Sequence, residues 1–376
     1  MIYLDHAATT PLDEEVLTAM TPYLKECFGN ASSQHTYGRN AANAVVFARD
    51  KIARLCGVNA KDIYFTCGAT ESDNTAVKGV CLANADKGKH LVISAIEHPA
   101  VLESAKDLSS FGFETTLVYP DVDGVITPQA VEAAIRPETV FVGVMSANNE
   151  TGVIQPIEGI YSVCKERNVF FFCDCVQTAG VLGFEDFPAD GWGFSAHKFY
   201  GPKGVGVLYI KGGTRFNRLM SGGHQERAMR GGTTDTASAV GCAAALEKAL
   251  REAERNNAYV ASLRDYFCGR VLSEIEGSVL NGGGRKLPSF ANISFEGCDG
   301  ENVLFLLDIK GIAVSTGSAC SAGAVTPSHV LTAMGFSQSR AKSAVRFTFG
   351  RENTQEEVDR VVRELKEAVN KIRNNK

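Results

Sequence analysis

The sequence lacks features that would assign it to several common classes of protein. No apolar run approaches the roughly 20 residues of a membrane-spanning helix, so we expect no membrane association. The formal net charge is -5 and the pI is near 5.9, which argues against direct binding of nucleic acid because phosphates require a basic face. The start "MIYLDHAATTP" has no basic stretch and no long apolar segment. We therefore expect no secretory signal and a cytoplasmic location.

Several ligand-binding motifs are also missing. The 11 cysteines include no CxxC pair, which excludes a zinc ribbon or a thioredoxin-type site and indicates free thiols in a reducing compartment. No GxGxxG follows a first strand, so a dinucleotide-binding Rossmann protein is disfavoured. The glycines of "NGGGRKLP" are not followed by the Lys-Ser/Thr of a phosphate-binding P-loop. We expect no metal site, and we interpret Cys173 and Cys175 as packing residues.

Apolar runs alternate with helical patterns along most of the chain. Such alternation predicts an α/β fold in which helices cover both faces of a mostly parallel sheet. At 376 residues the chain is long for one core, so we expect two domains with a boundary near residues 255–258. The predicted strands are residues 63–66, 91–96, 140–145, 169–173, 191–194 and 205–210. The predicted helices include residues 14–27, 41–56, 101–111, 157–167, 239–256 and 259–275.

Polar side chains follow the predicted strands where ligands bind in such sheets, at the carboxyl ends. Lys198 lies in "FSAHKFYGPKG", between an apolar run and a Gly/Pro-rich turn, and is a candidate Schiff-base nucleophile. The alternative is a surface lysine beside a turn. The residues that we expect to line one crevice are His98, Asn149, Asp174, Gln177, Ser195, His197 and Lys198.

The segment "DIYFTCGATESDN" predicts a strand, a small-residue turn and a helix N-terminus, an arrangement that binds phosphate. Thr70 and Asp73 have the spacing of a capping box, and an ordinary capped helix is the alternative. An imine-forming lysine, an aspartate on a neighbouring strand, this phosphate cup, an aromatic His98 and an arginine for a carboxylate are together what pyridoxal phosphate requires.

The C-terminal part predicts a smaller α+β unit. Residues 290–297 alternate like a strand with one solvated face, and Thr354 with Glu357 predicts a capping box for an amphipathic helix over 355–373. Cys320 lies among small residues in "STGSACS", where a thiol is reactive only if its thiolate is stabilised. Arg346 lies between apolar residues and requires a carboxylate partner.

As an ordered set, these motifs resemble the cysteine desulfurases of the NifS/IscS type, in the class V aminotransferase group of fold-type I pyridoxal-phosphate enzymes. The resemblance runs essentially end to end. It is carried by "YLDHAATTP", "GATESDN", "EHPAV", "NNETG", "SAHKFYGPKG", "GGHQER", "STGSACS" and "VRFTFGR". It implies a large cofactor-binding domain over 14–256 with a seven-stranded sheet, and a small domain formed by 1–13 and 257–376 that carries the Cys320 loop.

The resemblance also implies a role for each matching residue. Lys198 would hold the cofactor, His98 would stack on its ring and move protons, and Asp174 would pair with its pyridine nitrogen. Gln177 and Asn149 would lie at its phenolic oxygen, with Asn149 also near the substrate. Arg346 would bind the substrate carboxylate, and Cys320 would take sulfur from L-cysteine as a persulfide, leaving L-alanine. The residues of the phosphate cup would be Ala69, Thr70, Ser195, His197 and, from the partner of a homodimer, Thr233.

Two alternatives remain open at this stage. One is a selenocysteine lyase, or another β-lyase or aminotransferase of the same fold. Another is a sulfur-relay protein that binds partners without turnover. The sequence leaves the sulfur acceptor undefined: an iron–sulfur scaffold, a tRNA-thiolation carrier and a cofactor-biosynthesis protein all fit. Ala31, Cys67 and Cys175 depart from the usual family pattern but are similar in size to the usual residues.

Overall fold

The computed structural model describes residues 1–317 and 327–374. Its strands are β1 (Ile2–Tyr3), β2 (Ile63–Thr66), β3 (His90–Ser94), β4 (Glu114–Val118), β5 (Thr139–Gly143), β6 (Phe170–Asp174), β7 (Gly191–Ser195), β8 (Gly206–Ile210), β9 (Ser278–Leu280), β10 (Phe290–Phe295), β11 (Ile312–Ala313) and β12 (Ala344–Thr348).

Its helices are α1 (Glu14–Lys25), α2 (Thr36–Cys56), α3 (Ala69–Ala83), α4 (Pro99–Asp107), α5 (Pro128–Ala134), α6 (Ile157–Glu166), α7 (Thr236–Glu274), α8 (Gly300–Ile309), α9 (His329–Ala333), α10 (Gln338–Lys342) and α11 (Gln355–Asn374). Within these described ranges, no helix is long and apolar enough to cross a membrane.

The central sheet has seven strands in the order β2-β8-β7-β6-β5-β3-β4. All neighbouring pairs are parallel except those of β8, which runs antiparallel to β2 and β7. The mostly parallel seven-stranded sheet is thereby confirmed. Its inner strands are continuous apolar runs because both faces are covered, and Phe141, Phe171 and Phe172 are almost fully buried. β4 lies outside the predicted set of strands and forms one edge of the sheet.

A second layer holds a three-stranded antiparallel sheet, ordered β12-β10-β9, and the short parallel pair of β1 with β11. The prediction that one face of β10 is solvated is wrong, since the whole strand is buried. Its polar face is covered by hydrogen-bonding groups in place of water: Asn292 and Ser294 both bond the side chain of Asn281, and Ser294 also donates to the carbonyl of Arg340.

The 39-residue helix α7 joins the two layers. We expected two helices here, and that prediction is wrong because no residue in the middle of the segment interrupts helical hydrogen bonding. Residues 237–246 of α7 contribute to the core around the central sheet, whereas residues 260–271 contribute to the second core with Ile2, Leu4 and α11. The proposed domain boundary at residue 256 therefore falls within one continuous helix, between the parts that serve each core.

Helix ends follow the local sequence signals at several positions. Gly57 ends α2 in the left-handed conformation with φ of 69°, as predicted for a C-terminal glycine. The capping box before α11 is confirmed, because the Thr354 hydroxyl accepts from the Glu357 amide at 3.3 Å and the Glu357 carboxylate accepts from the Thr354 amide at 3.3 Å.

Candidate active site

The carboxyl ends of β6 and β7 define the centre of the site. Asp174 is the last residue of β6 and Ser195 is the last residue of the neighbouring parallel strand β7. A short 3-10 turn, Ala196–Lys198, follows β7 and places Lys198 at the same edge of the sheet. The lysine therefore lies at a strand end inside a crevice, and the alternative of a surface lysine on an ordinary turn is excluded by its part-buried contacts.

The start of α3 forms the second wall of the crevice. The hydroxyl of Ser195 accepts a hydrogen bond from the amide of Ala69 at 2.7 Å, which joins the helix N-terminus to the end of β7. Thr70 is exposed in the first turn of the helix. The first amides of α3 have no acceptor within the helix, and its dipole adds positive potential at this end. This is the geometry that suits a phosphate group.

The predicted capping box of α3 is wrong. The helix begins at Ala69 after Gly68, and no side chain at the N-cap bonds the first turn. Glu71 instead accepts from the amide of Cys67 at 2.7 Å, and Arg230 pairs with the same carboxylate. Asp73 points into the protein: it is 1% exposed, and its Oδ1 has no hydrogen-bond partner among the described residues.

An N-terminal segment crosses the site and contacts several of its residues. The Nζ of Lys198 donates to the carbonyl oxygens of Ala7 at 2.7 Å and Ala8 at 2.9 Å. Gln177 donates to the same Ala7 oxygen at 3.3 Å. His197 Nδ1 lies 3.1 Å from the Thr9 hydroxyl. Our expectations from the strand ends omitted this segment, and the only signal for it in the sequence is the polar turn that follows residues 2–4.

His98 is the N-cap of α4. Its Nδ1 accepts from the amide of Ala100 at 3.1 Å, which leaves the hydrogen of the neutral ring on Nε2. Burial, together with the charges of Lys198 and His329, lowers the pKa of His98 to about 4. The ring is therefore neutral at neutral pH, and its Nε2–H is a hydrogen-bond donor.

Three carboxyl groups are buried near one another behind the crevice. Asp174 accepts from the amide of Val176 at 2.8 Å; burial raises its pKa, while this bond and Lys198 oppose the rise. Burial also raises the pKa of Asp73 well above its usual range, with Asp174 and Glu97 adding to the effect. Burial raises the pKa of Glu97 to about 8. Sequence reasoning missed Glu97, because nothing in a strand-end "EHP" indicates full burial.

Arg346 reaches the crevice from β12 in the second layer. Its Nη1 donates to the carbonyl oxygen of Asn149 at 2.6 Å, and its Nη2 pairs with the Asp5 carboxylate at 2.8 Å. The expected carboxylate partner is therefore Asp5, which sequence reasoning left unnamed. The Nε of Arg346 and the Oδ1 of Asn149 are buried and have no hydrogen-bond partner in the part of the chain that the structure describes.

Two predicted site residues remain, Thr233 and Cys320. Thr233 is exposed and lines a cavity of about 150 Å³ together with Thr66, Cys67 and Arg230. No hydrogen bond joins its side chain to Ser195 or His197, all three of which belong to the described residues. Cys320 lies outside the described residues, between Gly317 and Pro327.

These groups match the chemical features of pyridoxal phosphate. Lys198 can bind an aldehyde, and the buried Asp174 can pair with a protonated ring nitrogen. The amides that begin α3 suit a phosphate, while the unpartnered Oδ1 of Asn149 is open to a polar ligand atom. Fold and site thus define the chain as a fold-type I pyridoxal-phosphate enzyme. In the described ranges, no group of three or more His, Cys, Asp or Glu side chains could hold a metal ion.

Comparisons with known proteins extend this assignment. The aminotransferase class-V family model matches residues 2–361. The cysteine desulfurase IscS of Dictyoglomus turgidum is 43% identical over 375 residues, which cover 99% of this chain and 95% of that protein. A solved structure named NIFS-like protein superposes with a TM-score of 0.92 at 36% identity, covering 98% of this chain and 99% of the other. The chain belongs to the aminotransferase class-V family.

A second solved structure, SspA in complex with cysteine, has a TM-score of 0.82 and 34% identity, and covers 94% of this chain and 100% of that one. Similarity over nearly the whole length of both chains shows that these proteins share the fold. The expected fold and family, and the expected dependence on pyridoxal phosphate, are thereby confirmed.

Proposed function

We propose that this chain is a pyridoxal-phosphate-dependent cysteine desulfurase that converts L-cysteine to L-alanine and takes the sulfur on Cys320 as a persulfide. One observation carries the proposal: the Arg346 guanidinium, held by Asp5 and the Asn149 carbonyl, lies in the crevice that also contains Lys198. An arginine at this place can bind the carboxylate of an amino acid. The names of the relatives, cysteine desulfurase IscS and a complex with cysteine, point to L-cysteine as that amino acid.

The residues around the crevice would hold the cofactor by its different groups. Lys198 would bind it covalently, Asp174 would hold a proton on its ring nitrogen, and His98 would lie against the ring. Gln177 and Asn149 would bond its phenolic oxygen. When bound, pyridoxal phosphate acts as an electron sink that stabilises negative charge developing at the substrate Cα. Its phosphate would be held by Ala69, Thr70, Ser195 and His197, and by Thr233 of the other subunit.

The charges of the site suit these tasks. Burial and the charge of Lys198 lower the pKa of His197 to about 4, so this ring is neutral at neutral pH and hydrogen-bonds a phosphate without adding charge. Asp174 is buried, and a cation at the ring nitrogen would stabilise its carboxylate form. His98 is also neutral, with a hydrogen on Nε2. In this tautomer it can donate a hydrogen bond from Nε2. To move protons it would adopt the other neutral tautomer, in which Nε2 accepts a proton from the substrate and later returns it.

Substrate binding would exchange one carboxylate for another at Arg346. Asp5 pairs with Nη2 at 2.8 Å, while Nε has no hydrogen-bond partner among the described residues. A substrate carboxylate can bond two nitrogens of the guanidinium at once, which favours it over the single contact of Asp5. Arg346 would thus orient L-cysteine with its amine toward Lys198.

Sulfur transfer would then require a thiolate at Cys320, since only the thiolate is nucleophilic. Its attack forms a bond between the two sulfur atoms and breaks the bond between Cβ and Sγ of the substrate. The electron pair from that bond remains on Cβ, which takes a proton and becomes the methyl group of L-alanine. The balance is L-cysteine plus a thiol giving L-alanine plus a persulfide, without an external oxidant or reductant.

The wider setting follows from the same proposal. A persulfide carried by Cys320 is delivered to an acceptor protein, such as an iron–sulfur scaffold or a thiolation carrier. We further propose a homodimer, because Thr233 is exposed in a cavity beside Cys67 and makes no hydrogen bond to Ser195 or His197 of its own chain, all of which the structure describes. The free cysteines of the described ranges fit a cytoplasmic location, where thiols stay reduced. The two-domain division at residue 256 is supported by the two cores that α7 serves.

Incubation with L-cysteine, with alanine and persulfide measured, tests the proposed function. Cys320→Ala should bind the cofactor and remain yellow but form no alanine, because no thiolate receives the sulfur. Lys198→Ala should lose the Lys-bound cofactor spectrum. Alanine formation by Cys320→Ala would contradict the desulfurase assignment and favour a selenocysteine lyase or another β-lyase. Activity retained in Lys198→Ala would contradict the cofactor assignment.

A further inference from the structure

Glu150 is a buried carboxylate that the proposed reaction leaves unused. It is 1% exposed and follows Asn149 directly in the chain. Its backbone is fixed on both sides: its amide donates to the Asn148 side chain at 2.9 Å, and its carbonyl accepts from Asn292 at 3.2 Å. Burying a carboxylate costs free energy unless the group has hydrogen-bonding partners. The partners of the Glu150 carboxylate therefore indicate its role in the structure.

The carboxylate contacts both ends of the chain segment that carries Cys320. On the C-terminal side, the hydroxyl of Ser328 donates to Glu150 Oε2 at 2.5 Å, and His329 Nδ1 lies 4.0 Å from Oε1. On the N-terminal side, a Cβ on Gly317 would lie 2.0 Å from Oε2, so only glycine fits there. One oxygen atom is thus in contact with Gly317 and Ser328, which flank residues 318–326.

Both ends are also joined to residues of the crevice. Ser315 exchanges backbone hydrogen bonds with Arg346 in both directions, at 3.1 and 2.7 Å. His329 Nε2 bonds the carbonyl oxygen of Glu97, the residue before His98, at 3.0 Å. Glu150 therefore lies where the two ends of the segment meet the residues proposed to bind substrate and move protons.

We propose that Glu150 is a positioning residue that fixes Gly317 and Ser328 against the Asn149–Arg346 side of the crevice, so that the segment bearing Cys320 starts and ends at set places. This inference rests on the proposed function, because it concerns delivery of the thiolate to the substrate sulfur. A displacement of Gly317 or Ser328 would therefore be expected to slow the attack of the thiolate on the substrate sulfur, because such reactions depend on correct placement of the reacting groups.

The first test is Gly317→Ala. Its methyl group would collide with the carboxylate and displace the N-terminal end of the segment. A displacement of about 1 Å can reduce a rate roughly 100-fold, so we expect single-turnover alanine formation to fall by about 10- to 100-fold. The KM for L-cysteine should change far less, because Arg346 and Lys198 are unchanged. Gly269→Ala is the matched control, since nothing lies within 4 Å of the Cβ it would add.

A double variant separates a specific contact from general damage. In Gly317→Ala/Glu150→Ala the shortened side chain leaves space for the new methyl group. The double variant should then be no slower than Glu150→Ala alone, which is a non-additive result that contacting residues give. Additive losses would overturn the proposal, because they would mean that the two residues act independently.

Hydrogen exchange of the apoprotein tests, without any turnover, whether Glu150 fixes Gly317 and Ser328. In Glu150→Gln and in Ser328→Ala, the amides of residues 314–317 and 328–331 should exchange at least several-fold faster than in the wild type, while those of β5 and β6 are unchanged. Unchanged exchange at both ends, or loss of cofactor binding in Glu150→Gln, would overturn the assignment. A wild-type protein that forms no alanine would refute the proposed function but leave the exchange result standing.

Discussion

The buried carboxyl of Glu97 makes the stability of the apoprotein depend on pH in a way that one substitution can test. Glu97 is 0% exposed. Its Oε1 accepts from the Ser94 hydroxyl at 2.5 Å and from the Met145 amide at 2.8 Å, whereas Oε2 has no partner among the described residues. Glu97→Gln preserves the accepting oxygen and replaces a hydroxyl by an amide of similar size. The variant therefore removes titration with little change in shape.

The size and sign of the effect follow from the pKa. Burial raises the pKa of Glu97 to about 8 from its ordinary value of 4.5, so the folded protein holds this proton more tightly than the unfolded chain. The stability that the neutral carboxyl provides is complete below the unfolded pKa and is lost as the pH rises through the folded pKa. Between these limits the slope is at most about 1.4 kcal/mol per pH unit, or about 2 to 3 kcal/mol from pH 5 to pH 7.

Urea unfolding of the two apoproteins between pH 5 and pH 8, followed by circular dichroism, measures this difference. Buried histidines such as His98 and His197 have lowered pKa values, so their contribution to the free energy of unfolding rises with pH. Because both proteins contain these histidines, this contribution cancels in the difference between them. The wild type should lose stability relative to Glu97→Gln as the pH rises. Glu103→Gln, whose side chain is 67% exposed, is the control. A difference that is independent of pH would refute the reasoning.

Two further predictions concern buried arginines. Arg346→Lys should raise the KM for L-cysteine by about 10-fold or more and leave the cofactor spectrum unchanged, because one ammonium cannot reach both Asn149 and Asp5 as the two guanidinium nitrogens do; an unchanged KM in steady-state kinetics would contradict it. Glu226 accepts from Arg49 at 2.7 and 2.8 Å and from the Phe65 amide at 2.9 Å. Glu226→Gln should therefore lower the free energy of unfolding by about 3 kcal/mol in urea titrations, because Arg49 keeps its buried charge without a counterion; a loss below about 1 kcal/mol would contradict it.

The main strands were predictable because they are continuous apolar runs, and their order in sequence already places polar residues at one edge of a sheet. β4 was not, since "ETTLV" begins with three polar residues and is mostly exposed at the edge of the sheet. The single helix α7 was missed because a polar stretch around residues 254–257 was interpreted as a break. That stretch lies between two cores, where a helix needs no apolar face.

The site was predictable where a residue type implies a chemistry, as for Lys198 and Asp174. It was not predictable where a contact is made by backbone groups or where the role of a residue depends on its burial. The carbonyl oxygens of Ala7 and Ala8 accept hydrogen bonds from Lys198, and the alanine side chains give no indication of that contact. Asp73 has capping-box spacing and yet is buried, because Glu71 and Arg230 occupy the helix start.

The N-terminal segment that crosses the site has a consequence for synthesis of the protein. Residues 2 and 3 pair with residues 312 and 313, and Asp5 bonds Arg346, so these N-terminal residues leave the ribosome long before their partners are made. A nascent chain can form the central sheet, but it cannot place the Ala7 and Ala8 carbonyls beside Lys198 until β11 and β12 have been made. The complete cofactor site therefore exists only after these strands have been translated. We expect the cofactor to bind after that point and not to the growing chain.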